Sequence, residues 1–312
     1  MANYIASVNQ LIMSKCSKIP GAVLYGQNLN NGTFISGLTK NIAVHETGRI
    51  INTPNVENTL CGMGFGMMLA GVKCVYFVKQ LDFMLLGLDH FVNTYNFIRC
   101  SRNINELGSF SIIMLVCDQG MQGPQSSFSG YADFSSMARI ACYSITNNQD
   151  TPRILETVTQ PGFRMIGLSS RLCRSEFIQT NLVYSADDNS VFQYTEGADA
   201  TIVCFNFSLA EGQALHKKLL EKGMASSLFS VNYVPYPDWT RIRQSVAITG
   251  RLVVMDDSKS VHLPAYSMLD AIAGDNLQFK RVVVVRGPNV DFGIDPDLFP
   301  VNYNDIMLRL GV

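Results

Sequence analysis

The chain has 312 residues, 47% of them hydrophobic and only 16% charged, with a formal net charge of −1. That balance offers no basic field for nucleic acid or an anionic membrane surface, and no apolar run reaches the roughly 20 residues that span a bilayer. So low a charge content also suggests that part of the surface faces partner chains.

In chain order, residues 4–16 have a helical apolar rhythm, and "GAVLYG" (21–26) reads as a short buried strand ending in a glycine turn. A polar, Asn- and Gly-rich loop (27–33) follows. A helix is expected over 57–71, with Gly62, Gly64, Gly66 and Ala70 letting another backbone approach closely. A strand at 72–78, a helix at 83–99 and a strand at 109–117 come next, and the strand runs directly into the loop "DQGMQGPQSSFSG" (118–130). "YADFSSMARIA", "ACYSIT", "TPRILETVTQ" and "FRMIGLS" continue the alternation, which predicts a parallel sheet covered on both faces.

Residues 178–198 break this rhythm with polar residues and turn signals. A first domain is therefore expected over 1–180, a linker over 181–197 and a second α/β domain over 198–312. The second unit reads as strand "ATIVCFNF", helix "LAEGQALHKKLLEKG" closed by Gly223, strand "ASSLFSVNYVPYP", then "RLVVMDD", "AYSMLDAIAG" and "KRVVVVRG". No internal repeat or low-complexity tract is present.

The eight cysteines include no C-x-x-C pair, and most lie in apolar segments. They read as reduced core thiols. With no secretory pattern at the N-terminus, a cytoplasmic setting is expected. The four histidines, His45, His90, His216 and His262, share no ligand spacing, which argues against zinc. "CGMGFGMM" lacks the strand and G-x-G-x-x-G turn of a dinucleotide site and reads better as tight helix packing. The loop at 118–130 is a ligand-site candidate, because ligands bind at the carboxyl ends of open parallel strands. Glu57 is the one acid at the mouth of an apolar helix, where it could also serve only to complement the helix dipole.

"NTPNVEN…GMGFGMMLAGVKCVYF…DFMLLGLDHFVN" resembles the transketolase superfamily, in particular β subunits of 2-oxo acid dehydrogenases and the C-terminal halves of split transketolases. Thr53, Pro54 and Glu57 fit the family's Thr-Pro-x-x-Glu segment, Asp89 and Asn93 its next helix, and 197–223 with "GRLVVMDD" its C-terminal domain. The resemblance implies an α/β fold of two domains with mainly parallel sheets flanked by helices, a thiamine diphosphate pyrimidine-binding domain followed by a transketolase C-terminal-like domain.

It also implies a site. In that family a Glu hydrogen-bonds the N1′ nitrogen of the aminopyrimidine ring and favours its imino tautomer, a role that falls to Glu57. Aromatics flank the same ring, at positions matched by Phe77 and Phe83, whereas Gln80 stands where relatives often carry another aromatic. The family's active-site histidine would fall at Ser126, or at Gln125 if the loop shifts by one. A hydroxyl there hydrogen-bonds but does not titrate near neutrality. "TNNQD" (146–150) replaces the arginine expected for a ketose phosphate.

No Gly-Asp-Gly occurs anywhere in the chain. The diphosphate and Mg²⁺ must then be held mainly by an α-type partner subunit, in an α₂β₂ heterotetramer with the active site between chains. The implied function is a thiamine-diphosphate-dependent transferase or carboligase, moving a two-carbon unit from a ketose or 2-oxo acid to an acceptor. A non-catalytic scaffold or regulatory subunit of such an enzyme is the alternative, and a dinucleotide-binding oxidoreductase a weaker one.

Overall fold

The computed structural model describes residues 3–119, 128–260, 263, 265–275, 277–286 and 298–312. Two six-stranded sheets, each flanked by helices, organise the chain. The first contains β1 (Val23–Gly26), β2 (Arg49–Asn52), β3 (Lys73–Val78), β4 (Ser109–Val116), β5 (Ala141–Ile145) and β6 (Gly162–Ser169). Its order is β2-β1-β3-β4-β6-β5, and every pairing is parallel. All six carboxyl ends therefore lie along one edge.

Strand alternation decides what each face meets. On β3 the Cys74 thiol donates to the carbonyl of Gly64, and Tyr76 stacks on Tyr25, whose hydroxyl donates to the Leu60 carbonyl. Gly64 and Leu60 belong to α2 (Glu57–Leu69), so this face carries α2. Phe65 packs edge-on against Phe110 and Phe163 beneath it. A Cβ on Gly64 would run into the Phe110 ring. The tight packing expected of the glycine string is thus against a side chain of the sheet at Gly64, and Gly66 has open space around it. On the other side of the sheet lies α1 (Tyr4–Cys16), whose Tyr4 hydroxyl donates to the Ile145 carbonyl and accepts from the Ser169 amide.

Besides a helix at 240–249, three features depart from the sequence reading. β2 was not foreseen; its four residues are mostly exposed and show no apolar alternation. The helix expected at 83–99 is a 3₁₀ segment (Leu81–Gly87), a π turn (His90–Thr94) and α3 (Tyr95–Ser101). Gly87, a weak helix former, ends the first piece. The stretch 181–197 carries β7 (Tyr184–Ser185) and β8 (Val191–Thr195), which pair antiparallel at the edge of the second sheet.

The first sheet is completed by α4 (Tyr131–Ala138) and α5 (Asp150–Glu156). The second sheet has the order β12-β11-β9-β10-β8-β7, with β9 (Ala200–Phe205), β10 (Ser226–Val231), β11 (Arg251–Asp256) and β12 (Lys280–Val285) parallel. α6 (Leu209–Glu221) and α9 (Tyr303–Leu310) share one side, joined by Lys218 over the Tyr303 ring at 5.5 Å. α7 (Thr240–Thr249) turns Ile242, Ser245, Val246 and Thr249 inward, and Ser245 and Thr249 hydrogen-bond Thr201 of β9. α8 (Ala265–Ala273) follows β11. Among the described residues no helix is long and apolar enough to cross a membrane. All eight cysteines are free, with Cys100 exposed and Cys173 half-buried.

The two sheets are bonded to each other. Cys142 and Tyr233 exchange backbone hydrogen bonds of 2.8 and 3.1 Å, and the Ser144 amide donates to Asn232 Oδ1 at 2.8 Å. Asp150, at the start of α5, accepts through Oδ2 from Asn147 at 2.8 Å, from Ser230 of β10 at 3.2 Å and from the Tyr194 hydroxyl of β8.

Candidate functional site

The carboxyl edge of the first sheet carries Glu57, Phe77, Gln80 and Phe83, four of the residues that the sequence singled out. Glu57 opens α2 as its first residue and is 7% exposed. Val56 before it gives no side-chain cap, and Glu57 is the one acid in the first turn, the end where the helix dipole favours negative charge. Gln27 Nε2 donates to Glu57 Oε1 at 3.3 Å. The loop carrying Gln27 is pinned on both sides. The Thr53 amide donates to the Gly26 carbonyl at 2.9 Å, and the Leu29 amide to Asn52 Oδ1 at 2.8 Å. Gly26 itself has φ +145°, and a Cβ there would collide with the Phe77 carbonyl oxygen. Only glycine lets β1 end so close to β3.

Thr53 Oγ1 is buried with no hydrogen-bond partner. Tyr76 and Cys61 sense the Glu57 charge: burial pushes the Cys61 thiol up to about 12, with Glu57 adding to it. Burial followed by Cys61 and Glu57 raises the Tyr76 hydroxyl as well.

The aromatic assignments separate. Phe83 is half-buried in the 3₁₀ segment, which is tied to the first turn of α2 by Asn58 Nδ2 donating to the Leu86 carbonyl at 3.0 Å. Phe77 is fully buried in β3, next to Tyr76, and alternation turns its ring to the face opposite α2. The aromatic that β3 directs toward Glu57's helix is Tyr76. Gln80 lies in extended backbone just before the 3₁₀ segment, 5% exposed, and hydrogen-bonds the Cys117 thiol. Gln125 and Ser126 lie outside the described residues. Asp89 and Asn93 bond each other at 2.7 Å on an exposed surface.

Behind Gln80 the edge becomes ionic. Asp118, after β4, is fully buried and accepts from Ser169 Oγ at 2.5 Å, Ser170 Oγ at 3.2 Å and the Arg171 amide at 3.0 Å. Arg171 reaches across to Asp257 Oδ2 at 2.6 Å and to Glu211 of α6, with its Nε 3.5 Å from Asp118. Arg286 donates to the carbonyls of Asp118, at 2.6 Å, and of Asp257. Burial opposes the Arg171 charge, but Asp257, Glu211 and Asp118 outweigh it and hold the guanidinium firmly protonated. Burial likewise lifts the Asp118 carboxyl, against the pull of Arg171. This network clamps the two sheets together beside the site. Among the described residues no group of three or more His, Cys, Asp or Glu is placed to hold a metal ion.

The sequence reading missed Gln27, Tyr76 and Arg171. The first had a usable signal, since it follows the glycine that ends a parallel strand, where ligand-contacting groups sit. The other two depend on strand facing and on pairing between distant segments.

No family model matches the sequence. The chain is 22% identical over 300 residues to the mitochondrial pyruvate dehydrogenase E1 component subunit beta-1 of Arabidopsis thaliana, covering 91% of this chain and 80% of the relative. It is 18% identical to the protein of the same description from Oryza sativa subsp. japonica, with 91% and 78% covered. Its structure superposes with a TM-score of 0.70 on a split-gene transketolase described as an inactive beta4 tetramer, at 15% identity and with 100% and 98% of the two chains covered. In sequence, along nine-tenths of its length, the chain is similar to pyruvate dehydrogenase E1 beta subunits, and in fold, throughout, it is similar to a split transketolase, so it is β-subunit-like in both respects.

Proposed function

We propose that the chain is the β-type subunit of a two-chain thiamine diphosphate enzyme and contributes the pyrimidine half of the active site. The observation that carries this reading is the buried Glu57 carboxylate at the carboxyl edge of a parallel sheet, held by one neutral amide. The partnerless buried hydroxyl of Thr53 nearby suits a bound polar ring. Glu57 would accept or share a proton at the ring's N1′, with Phe83 against its face and Tyr76 behind. When bound, the cofactor supplies the electron sink for breaking a C–C bond next to a carbonyl, and the protein orients it. Two-carbon transfer from a ketose or 2-oxo acid is the reaction class, with Gln80 in the cofactor half and Gln125 and Ser126, outside the described residues, assigned to the substrate.

The missing Gly-Asp-Gly supports an α-type partner that holds the diphosphate and Mg²⁺, in an α₂β₂ assembly. Exposed apolar side chains beside the site, Val56, Met63, Leu85 and Leu86, suit a covering chain. The inactivity stated for the neighbour's beta4 tetramer supports dependence on such a partner. Free, mostly buried cysteines are in keeping with a reducing, cytoplasmic setting.

The test is co-expression with a neighbouring gene whose product carries Gly-Asp-Gly, followed by thiamine diphosphate titration and turnover assays with pyruvate and with xylulose phosphate. Glu57→Gln should leave assembly intact and abolish turnover. A complex that neither binds thiamine diphosphate nor responds to Glu57→Gln refutes the reading and leaves a scaffold.

A further inference from the structure

We infer that Gln27 is a positioning residue for Glu57, fixing the orientation of its carboxylate and keeping the one side chain bonded to it, among the described residues, uncharged. The inference rests on the proposed role of Glu57 and deepens it. Among the described residues, the bond from Gln27 Nε2 at 3.3 Å is the hydrogen bond made by the Glu57 carboxylate. A carboxylate with no partner would rotate about its terminal torsion, whose wells are broad. One donor on Oε1 selects an orientation and leaves Oε2 for the ligand.

The donor is delivered by rigid backbone. Gly26 is locked against Phe77 and bonded to Thr53, and Leu29 is fully buried and bonded to Asn52. Gln27 therefore reaches Glu57 from a fixed origin rather than from a loose loop.

Neutrality matters as much as position. A donor amide stabilises the carboxylate form, whereas a second carboxylate at the same distance would oppose it and make two acids share one proton. The other titratable groups on elements packed around Glu57 are Cys61 on α2, Tyr25 on β1, Cys74 and Tyr76 on β3, and Asp82, Asp89 and His90 on the 81–94 segment, with Asp89 exposed; Lys73 at the start of β3 and Lys79 after it are exposed too. Burial raises Cys61, Tyr25 and Tyr76, so all three stay neutral through the physiological range.

The experiment uses the purified complex with its α-type partner, with thiamine diphosphate as the probe and binding measured calorimetrically from pH 5 to 9. Gln27→Met, of similar length but without a donor, should weaken binding about tenfold, the effect of losing one hydrogen bond to a charged group. Gln27→Glu should move the pH midpoint of binding upward by about one unit or more, a response that a merely space-filling residue would not give. Wild-type affinity and midpoint in both variants, alongside lost function in Glu57→Gln, would overturn the role of Gln27 alone. Wild-type behaviour in all three would overturn the reading of Glu57 itself.

Discussion

Asp150→Asn should change how stability depends on pH. Asp150 joins the two sheets through Tyr194 and Ser230, and its Oδ1 is buried with no partner. Burial raises its carboxyl from 3.8 to about 6, although hydrogen bonds from Tyr194, Asn147 and Ser230 pull the other way. The folded state therefore holds this proton more tightly than the unfolded chain. The resulting stabilisation is complete below about 3.8 and lost as pH rises through about 6. A rise of about two pH units at roughly 1.4 kcal/mol each amounts to about 3 kcal/mol. Asn cannot titrate, so the stability of the variant relative to wild type should improve by about 2–2.5 kcal/mol between pH 4 and pH 7, since the unfolded group is already half ionised at pH 4. Asp256, also raised by burial to about 6, is present in both proteins and drops out of the difference. Urea unfolding followed through the only tryptophan, Trp239, measures it. Two parallel stability curves would refute the assignment of Asp150 as a buried, poorly solvated carboxyl.

Arg171→Met removes the shared cation from Asp118, Asp257 and Glu211 and should cost about 3–5 kcal/mol, read as a fall in the denaturant midpoint; a loss below about 1 kcal/mol would show that the network does not clamp the sheets. Brief treatment of the native protein with iodoacetamide should modify the exposed Cys100 well before the buried Cys61 and Cys74, whose thiols burial pushes up to about 12. Mass spectrometry finding Cys61 labelled as fast would contradict the packing of α2 on its sheet.

Much of the architecture is carried by local pattern. The buried strands "KCVYFV", "SFSIIMLV" and "ATIVCF" and the amphipathic α1 and α6 declare themselves through period and turn residues. α7 hides because two of its four inward residues are hydroxyls that bond Thr201, so its inner face does not look apolar. β2 and β7 hide because short edge strands need little hydrophobic pattern when a neighbour supplies the hydrogen bonds. Glu57 was legible as an isolated acid at a helix start.

What surrounds Glu57 was not legible, for a geometric reason. Gln27 lies 30 residues upstream and meets it only because β1 ends beside α2. That Tyr76 rather than Phe77 faces the helix of Glu57 follows from one step of strand alternation between two adjacent buried aromatics. Arg171 finds Asp257 across 86 residues. The order of residues set the elements and the acid, because those depend on near neighbours. Parallel pairing, which joins segments far apart in the chain, decided which groups share the acid's surroundings.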